Sequence, residues 1–303
     1  MNNFVRSPKG AMLLFILCCI VLVSCARIPE SDQLVSAGRD LVLTRSNGSC
    51  TEEETVDSWL ADTSLPELSP DSISIFSWNI YKGQRQNWDV DFLLFSEAKD
   101  IIFLQEATIT EELQEVLQQK ELKWNLNCAF KYKGTDTGVL VASTIQPADS
   151  CGLRHKEPLI GVPKTILVNT YGVSGSSAEL LVANIHGINI TLGTSAYQAQ
   201  LDGLARILEK HNGPIILAGD FNNWTMERTE IMMQLAEKLS LQVLSFDEGG
   251  RTLFFGDPVD QILYRGLVPL SHAVYPVTSS DHNPISATFR LAKPPVVASN
   301  TEL

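Results

Sequence analysis

The sequence is short of positive charge. It contains 23 Lys and Arg residues against 35 Asp and Glu residues, which gives a net charge of −12. Proteins that hold duplex DNA tightly generally present a basic face, because much of their affinity comes from counterion release. The sequence has no dense run of Lys and Arg with interleaved aromatic residues. This composition argues against tight nonspecific binding of nucleic acid, although bound cations can offset local acidic charge.

Cysteine is also scarce, and no cluster of Cys and His has the spacing of a zinc site. Outside the first 25 residues, three of the six cysteines remain: Cys50, Cys128 and Cys151. An odd number of thiols cannot all pair within one chain. Cys128 and Cys151 lie in the same globular stretch, where they can form a disulfide in an oxidising compartment or remain buried thiols.

Residues 11–24 form an apolar run that is too short to cross a bilayer comfortably. Arg6 and Lys9 precede it, and this order is typical of an export signal. The run ends in Leu-Val-Ser-Cys, which resembles the bacterial lipobox, so we expect lipidation of Cys25 and removal of residues 1–24. An ordinary secretory signal or an uncleaved anchor is the alternative, and either would still export the domain.

The residues after Cys25 bear on its destination. Ala26 and Arg27 follow it, and the absence of Asp resembles lipoproteins that are sent to the outer membrane of the bacterial cell envelope. Each buried acyl methylene contributes about 0.8 kcal/mol, so several chains on one Cys would hold the protein without a transmembrane helix. Loss of residues 1–24 would change the net charge from −12 to −14.

The rest of the chain divides into three parts. Residues 25–70, with the acidic run at 52–54, are typical of an acylated Cys followed by a polar tether with one local helix at most. Residues 71–293 have the length of a single α/β domain, and residues 294–303 are expected to be a loose tail. No internal repeat is evident.

Apolar patterns within the domain predict strands alternating with helices. Strands are predicted at 72–78, 101–104, 138–142, 165–169, 180–185, 215–218, 261–264 and 285–289. Helical spacing is found at 197–208 and 231–239 and around 90–94, and Thr108 with Glu111 indicates a capping box for another helix. The order indicates an α/β fold with two packed sheets covered by helices.

Four short polar clusters follow apolar runs or close a segment. They are Trp78-Asn79, Gln105-Glu106, Gly219-Asp220-Phe221-Asn222 and Ser280-Asp281-His282-Asn283-Pro284. Together they supply hard oxygen ligands and one titratable imidazole, which is the set that a magnesium-assisted phosphoester hydrolase needs.

These clusters carry a family resemblance. With Asn184-Ile185-His186 and Asp260-Gln261-Ile262, they occur in the order and spacing of the endonuclease/exonuclease/phosphatase superfamily, over about residues 73–289. The resemblance implies a DNase I-like four-layer α/β sandwich, with two packed and mostly antiparallel sheets flanked by helices. The combination of six motifs is far more specific than any one of them.

The resemblance also implies a role for each motif residue. Glu106 matches the principal ligand of Mg²⁺ or Mn²⁺, with Asn79 and Asp281 completing the metal site. The residues expected to contact phosphate or move protons are His186, Asp220, Asn222, Asp260 and His282. Asp260 is expected to fix the tautomer of His282, and Asp220 to align or deprotonate the attacking water.

Each of these residues also has an ordinary structural interpretation. Glu106 can cap a helix, Asp220 and Asn222 can form an Asx turn, and His186 can be a buried hydrogen-bonded histidine. Gln261 departs from the family pattern, because many members have His at this position. The tyrosine that some nuclease branches place between the Glu and His motifs has two candidates, Tyr132 and Tyr171, and neither is assigned.

Three functions are compatible with the sequence. The first is a metal-dependent phosphodiesterase or endonuclease, with nucleic acid among its possible substrates and with no obligate protein partner. The second is a phosphatase or phosphodiesterase acting on lipid or small-molecule head groups, for which an apolar loop beside the site would speak. Leu253-Phe254-Phe255 is the one obvious candidate loop, although a core strand is the simpler interpretation. The third is a noncatalytic, membrane-tethered binding protein.

Overall fold

The structure is a computed structural model, and it describes residues 26–30, 33–37, 43–50, 66–246 and 249–292. The predicted signal peptide, the predicted lipidation site Cys25 and the tail at 294–303 lie outside the described residues. Within the described ranges, no helix is both long enough and apolar enough to cross a membrane.

Most of the described chain is β-structure. The strands are β1 (Ala26–Arg27), β2 (Leu34–Ala37), β3 (Thr44–Ser46), β4 (Ile73–Asn79), β5 (Ile101–Thr108), β6 (Lys123–Tyr132), β7 (Thr135–Ser143), β8 (Asp149–Lys156), β9 (Pro163–Tyr171), β10 (Leu180–His186), β11 (Ile215–Asp220), β12 (Gln242–Val243), β13 (Leu253–Phe254), β14 (Asp257–Pro258), β15 (Asp260–Arg265), β16 (Leu267–Val274) and β17 (Ile285–Leu291). The α-helices in these ranges are α1 (Trp88–Phe95), α2 (Glu111–Gln119), α3 (Ser195–Leu208) and α4 (Met226–Lys238), and a 3₁₀ turn spans Tyr81–Gly83.

The strands form two large sheets. The first sheet has the order β16-β17-β4-β5-β7-β6-β2-β3, with β1 paired to β6, and the second has the order β12-β15-β11-β10-β9-β8. Each sheet contains one parallel pair, β4 with β5 and β10 with β11, and its other pairs are antiparallel. Strands β13 and β14 form a separate hairpin.

Three apolar clusters hold four layers together. The central cluster lies between the sheets and includes Phe103, Val182 and Phe289. A second cluster packs α3 and α4 on the outer face of the second sheet, and a third packs α1 and α2 on the outer face of the first. The α/β sandwich of two helix-covered sheets predicted from the apolar patterns is therefore confirmed.

The predicted elements are all present, with differences at their ends. Each of the eight predicted strands corresponds to an observed strand; seven of these are longer than predicted, and β4 has the predicted length but begins and ends one residue later. All four predicted helices form. The cap of α2 is Thr110 rather than Thr108, because the Thr110 hydroxyl accepts the hydrogen bond from the Leu113 N–H. The hairpin residues Leu253 and Phe254 are exposed, so the interpretation of this stretch as a core strand was wrong.

Residues 26–50 differ from the polar tether that composition indicated. In the described part of this segment, β2 pairs with β6 and β3 pairs with β2, so both extend the first sheet. Val35 is fully buried, and Arg45 forms an ion pair of 2.7 Å with the buried carboxylate of Asp136. The segment covers the edge of β6, which would otherwise present unpaired backbone groups.

The segment is also tied covalently to the domain. Cys50 and Cys151 form a disulfide, while Cys128 is a free and buried thiol. The pairing of Cys128 with Cys151 considered from the sequence is therefore wrong. Burial, together with the carboxylate of Asp136, raises the pKa of Cys128 to about 12, so this thiol is unreactive at neutral pH.

A buried polar bridge joins the two sheets. The side-chain amide of Asn184 on β10 donates to the carbonyls of Leu104 and Leu140 on the first sheet, at 2.9 and 2.8 Å. Its oxygen accepts from Gln105 Nε2 at 2.7 Å. Both side chains are fully buried. These two motif residues therefore set the position of one sheet against the other.

We predict that loss of the disulfide destabilises the whole domain. The bond closes a loop with a sequence separation of 101, for which chain entropy predicts a stabilisation of about 2–5 kcal/mol. Urea unfolding of the full chain should show a loss of this size on reduction. The Cys50→Ser/Cys151→Ser variant should be equally destabilised and insensitive to reductant. A reductant effect that persists in this variant would contradict the assignment.

We also predict that Asn184→Leu is severely destabilising. The change removes the side-chain donors to two buried carbonyls and the 2.7 Å acceptor of Gln105 Nε2, which keeps only a 3.4 Å hydrogen bond to Ser77 Oγ, and each lost buried partner costs about 1–3 kcal/mol. We expect the free energy of unfolding to fall by at least about 3 kcal/mol. The matched test is a double-mutant cycle with Gln105→Leu: strictly additive losses would show that the two side chains are not coupled.

Candidate active site

The candidate site is the open end of the core between the sheets. Side chains alternate between the two faces of a strand, so residues two apart share a face. On β11, the buried residues Ile216 and Ala218 lie in the central cluster, and Asp220 follows on the same face. On β10, Val182 is in that cluster and His186 ends the strand. The polar site residues therefore continue the apolar stripes of the core.

Strand register brings the site residues together. His186 pairs with Asp220 across β10 and β11, and Asp220 pairs with Asp260 across β11 and β15. In the first sheet, Asn79 pairs with Gln105, the neighbour of Glu106. A hydrogen bond of 3.1 Å from Asn79 Nδ2 to Asp220 Oδ2 connects the two sheets at the site.

Gly219 allows the close approach of β10 and β11. Its φ is 139°, and a Cβ at this position would lie 2.1 Å from the carbonyl oxygen of Ile185. Only glycine fits such a contact without displacing the backbone. The residue that precedes Asp220 therefore determines how near its carboxylate lies to His186.

Asp220 is the centre of the constellation and is 2% exposed. Its Oδ2 lies 3.5 Å from His186 Nε2 and 3.9 Å from His282 Nε2, and its Oδ1 accepts from the Asn222 N–H at 3.0 Å. Burial and the nearby carboxylate of Asp260 raise the pKa of Asp220 to about 6, against the opposing effect of His282. The group can therefore accept a proton near neutral pH.

His282 is held by the partner that the resemblance implied. Its Nδ1 lies 2.8 Å from Asp260 Oδ2, and its carbonyl oxygen accepts from Trp78 Nε1 at 2.8 Å. Burial disfavours the charged ring, but the carboxylates of Asp260 and Asp220 outweigh it and raise the pKa of His282 to about 10. The ring is therefore an imidazolium cation at neutral pH.

His186 has the opposite character. Burial, reinforced by the positive charges of Lys164 and Lys82, holds the pKa of His186 well below its usual value. Lys164 Nζ lies 2.6 Å from His186 Nε2. His186 is therefore neutral, and the positive charge beside it belongs to Lys164.

Glu106 lies in a distorted part of β5. The register between β5 and β7 shifts between Leu104 and Ala107, and the φ of Glu106 is 54°, in the left-handed region that non-glycine residues seldom adopt. Lys82 donates to Glu106 Oε2. Burial alone would raise the pKa of Glu106, but Lys82 and Lys164 outweigh it and lower the value, so the carboxylate is ionised.

The residues expected to bind metal fit a hydrated Mg²⁺ or Mn²⁺ better than a closed cage. Within the part of the chain that the structure describes, no group of three or more His, Cys, Asp or Glu side chains is arranged to hold a metal ion. Magnesium, however, is commonly bound by one or two carboxylates together with water and substrate phosphate. Glu106 already faces the ammonium group of Lys82, and Asn79 Oδ1 accepts a hydrogen bond of 3.2 Å from the Tyr81 N–H.

Asp281 and Asn222 lie at the margin of the constellation. Asp281 is exposed and its Oδ1 accepts from Ser280 Oγ at 3.3 Å. Asn222 does not continue the extended strand beside Asp220, because its φ is 49°, and its side chain donates to the carbonyl of Gly187 at 3.1 Å. The Asx-turn interpretation therefore describes its local geometry, with Asp220 as the acceptor.

The structure also shows where Gln261 and the two candidate tyrosines lie. Gln261 donates to the carbonyl of Pro258 at 2.7 Å and accepts from Arg251 at 3.2 Å, so it has a local structural role. Tyr171 is buried in the central core, whereas Tyr132 lines the cavity beside Glu106 and His186.

Sequence reasoning missed three cationic residues. Lys82 and Lys164 face Glu106 and His186 respectively. Arg228 on α4 is buried and donates to the carbonyls of Ile188, Asn189 and Asn222, which fixes the loops after His186 and Asp220. Lys82 lies three residues after Asn79, and this closeness to a motif residue could have indicated that it belongs to the site. No feature of the sequence indicates that Lys164 or Arg228 does.

We predict that His282 makes stability depend on pH. Its pKa is raised from 6.5 to about 10, so its contribution is fully present below the ordinary value and is lost as the pH rises through about 10. In chelator at pH 7.5–9, the free energy of unfolding should fall by up to about 1.4 kcal/mol per pH unit from this group. His282→Gln should remove that slope, while the exposed His272→Gln should keep it. Parallel slopes in all three proteins would refute the prediction.

Comparison with known sequences gives matches over the same region. The profile described as the endonuclease/exonuclease/phosphatase family matches residues 76–282. A UPF0294 protein of Vibrio campbellii (strain ATCC BAA-1116) is 39% identical over 221 residues, which are 72% of this chain and 78% of the relative. A UPF0294 protein of Klebsiella pneumoniae (strain 342) is 34% identical over 229 residues, 76% of this chain and 86% of the relative.

Comparison with solved structures gives the fold. The human Nocturnin catalytic domain with bound sulfate aligns with a TM-score of 0.57 and 20% identity, over 76% of this chain and 97% of that one. ANGEL2, a 2′,3′-cyclic phosphatase in complex with adenosine-2′,3′-vanadate, aligns with a TM-score of 0.55 and 15% identity, over 76% and 99%. These matches confirm the DNase I-like four-layer sandwich. The chain therefore belongs to the endonuclease/exonuclease/phosphatase family of phosphoesterase-type hydrolases.

Proposed function

We propose that this protein is a divalent-metal-dependent phosphodiesterase, of the endonuclease type in its chemistry, in which water attacks phosphorus. The observation that carries the proposal is the position of Asp220, whose Oδ2 lies 3.5 Å from His186 Nε2 and 3.9 Å from His282 Nε2. A base, a neutral imidazole and an imidazolium thus converge on one point. A binding protein without catalytic activity has no need of this arrangement.

Asp220 is the proposed base. The pKa of Asp220 is about 6. A general base with a pKa near the operating pH is mostly ionised and is still basic enough to accept a proton. Asn79 Nδ2 donates to the same oxygen at 3.1 Å and so limits the orientations of the carboxylate. Water held by Asp220 would lose its proton to this group as its oxygen attacks.

His282 is the proposed electrostatic partner of the phosphoryl group. As an imidazolium held by Asp260, it can donate from Nε2 to a non-bridging oxygen, where negative charge grows in the transition state. Lys164 offers a second positive charge next to His186. Asn222 would contact phosphate if its side-chain amide left the carbonyl of Gly187 and donated to a substrate oxygen instead.

The proposed metal ligands are Glu106, Asn79 and Asp281. Enzymes of this family generally use divalent metals, and bound Mg²⁺ or Mn²⁺ would neutralise phosphoryl oxygens and the developing charge. The lowered pKa of Glu106 keeps its carboxylate ionised and available. Lys82, which donates to Glu106, would move aside or turn to the substrate when metal is present.

The overall reaction is hydrolysis of one ester bond. The water oxygen forms a bond to phosphorus, the ester P–O bond breaks, and the electron pair leaves with the alcohol oxygen. The proton taken by Asp220 returns through solvent to the leaving alcohol. The products are a phosphomonoester and an alcohol, and no redox partner is required.

We propose further that the protein is held in the bacterial cell envelope by a lipid on Cys25, at the outer membrane. The support is the sequence of residues 1–27, which resembles a lipoprotein signal without Asp after the cysteine. The net charge of −12 disfavours tight binding of duplex DNA, whose phosphates a protein must neutralise to bind tightly. We therefore favour substrates that the protein binds weakly.

We predict that Asp220→Asn abolishes turnover by the full chain without unfolding it. Loss of a general base typically costs about 10²–10⁴-fold, and His282→Gln should cost at least about 10²-fold through lost charge stabilisation. The assays are nicking of supercoiled plasmid and hydrolysis of bis(p-nitrophenyl) phosphate, each with Mg²⁺ and with chelator.

His272→Gln, which removes an exposed imidazole elsewhere, is the matched control and should retain activity. Chelation should stop turnover and added metal restore it. Nicking by the parent alone would identify nucleic acid as a substrate. Equal turnover by the parent and both site variants would show that the observed activity arises elsewhere.

A further inference from the structure

A cavity of about 400 Å³ opens beside the candidate active site. At one end it contains Lys82, Glu106, Lys164 and His186. Its remaining wall is largely apolar and includes Phe130, Tyr132, Ile160, Val162 and Ile190. A polar, cation-rich end joined to an apolar wall suits a substrate that carries its phosphate next to a hydrocarbon group.

The chain enters the domain at the rim of this cavity. Ala26 and Arg27 form β1, which pairs antiparallel with β6, and Ala26 is the partner of Tyr132. The Cα atoms of such partners are about 5 Å apart, and Tyr132 lines the cavity. Arg154 donates to the carbonyl of Pro29 at 3.2 Å, so the segment just after β1 is also held to the domain.

This entry point fixes where a membrane attachment would lie. Ala26 directly follows Cys25 and the apolar run at 11–24. A lipid on Cys25 and an uncleaved apolar anchor would both end, in sequence, directly before Ala26, the strand partner of Tyr132. In either arrangement no further residue would separate the attachment from β1.

A second side of the rim carries exposed apolar side chains. In the hairpin of β13 and β14, Leu253 and Phe254 are exposed, and Phe255 at the tip is 81% exposed. The ring of Phe255 lies 5.4 Å from that of Trp224. Trp224 Nε1 donates to Asn189 Oδ1 at 2.9 Å, and Asn189 lines the cavity. Aromatic residues of this kind favour the boundary between water and lipid.

We propose that the N-terminal attachment and the aromatic hairpin hold the cavity mouth against the bilayer, and that the substrate is a phosphodiester of a membrane lipid. The phosphate enters the cationic end of the cavity, and the part of the lipid nearest the phosphate lies along the apolar wall. This inference rests on the proposed phosphodiesterase function and adds the class of substrate and the direction from which it arrives.

The first test separates the cavity from the membrane. The full chain is reconstituted into vesicles of phosphatidylethanolamine and phosphatidylglycerol, and hydrolysis of these lipids is followed by phosphorus NMR. A proline-rich spacer of about 20 residues inserted between Cys25 and Ala26 would separate them by up to about 60 Å. Combined with Phe255→Ser, it should lower lipid hydrolysis at least about tenfold, because the effective concentration of lipid at the site falls.

Matched controls accompany these changes. The same spacer added after Leu303 and the change Leu270→Ser, which alters an exposed apolar residue of β16, should leave lipid hydrolysis within about twofold of the parent. Hydrolysis of soluble bis(p-nitrophenyl) phosphate should be unchanged in all variants. Equal lipid hydrolysis with and without the spacer and Phe255→Ser would overturn the proposal.

The second test addresses the apolar wall. Ile190→Ser keeps the backbone N–H that donates to Glu157 but removes the apolar surface. It should lower lipid hydrolysis at least about tenfold and lower hydrolysis of the soluble diester clearly less, because that small substrate offers less hydrocarbon to the wall. Leu159→Ser is the matched control, since Leu159 is exposed next to Ile160 and does not line the cavity.

The outcomes distinguish the two proposals. Hydrolysis of the soluble diester without hydrolysis of vesicle lipid by the parent would overturn the membrane-substrate inference and keep the phosphodiesterase function. Failure with both substrates, in a folded protein supplied with metal, would count against the phosphodiesterase function itself. Equal losses on both substrates in Ile190→Ser would assign that residue to the folding of the site rather than to the substrate.

Discussion

The site depends on the position of one sheet against the other. Glu106 and Asn79 come from the first sheet, whereas His186, Asp220 and Asp260 come from the second. An apolar interface alone allows small slips, because dispersion and burial have little directionality. The buried amide of Asn184 removes this freedom, since its three hydrogen bonds are satisfied in only one alignment of the sheets. Catalytic geometry is thus supported from inside the core.

The arrangement also separates two imidazoles by environment. His282 and His186 both lie within 4 Å of the Asp220 carboxylate, yet one is cationic and the other neutral. Two carboxylates determine the first, and burial beside two ammonium groups determines the second. Opposite shifts of similar groups are a common way for one pocket to hold an acid and a base at the same pH. Lys82 and Lys164 have no counterpart in the motif pattern, yet they contribute to this difference.

The sequence predicts the fold well because its central strands are long apolar runs with polar residues at their ends. The sequence does not predict β6, because Asn125 and Asn127 interrupt its apolar pattern. These side chains donate hydrogen bonds to β8 and β9 of the second sheet. The sequence also fails to predict the edge strands β8 and β16, because β8 is mostly half-buried and β16 has four consecutive exposed residues, so neither shows a clear alternation. For the site, motif residues were identifiable, but the partners of His186 and Glu106 depend on contacts distant in sequence.

The disulfide has a consequence for the order in which the chain can mature. A polypeptide made from its N-terminus exposes Cys50 first, then Cys128, and Cys151 last, after β4 to β7 have been completed. Cys50 is therefore synthesised long before its partner Cys151. Cys128 is synthesised between them and is the earlier but incorrect partner. Burial of Cys128 within the third apolar cluster withdraws it from exchange once that sheet has packed on its helices. Packing of Cys128 into this cluster therefore favours the pairing of Cys50 with Cys151.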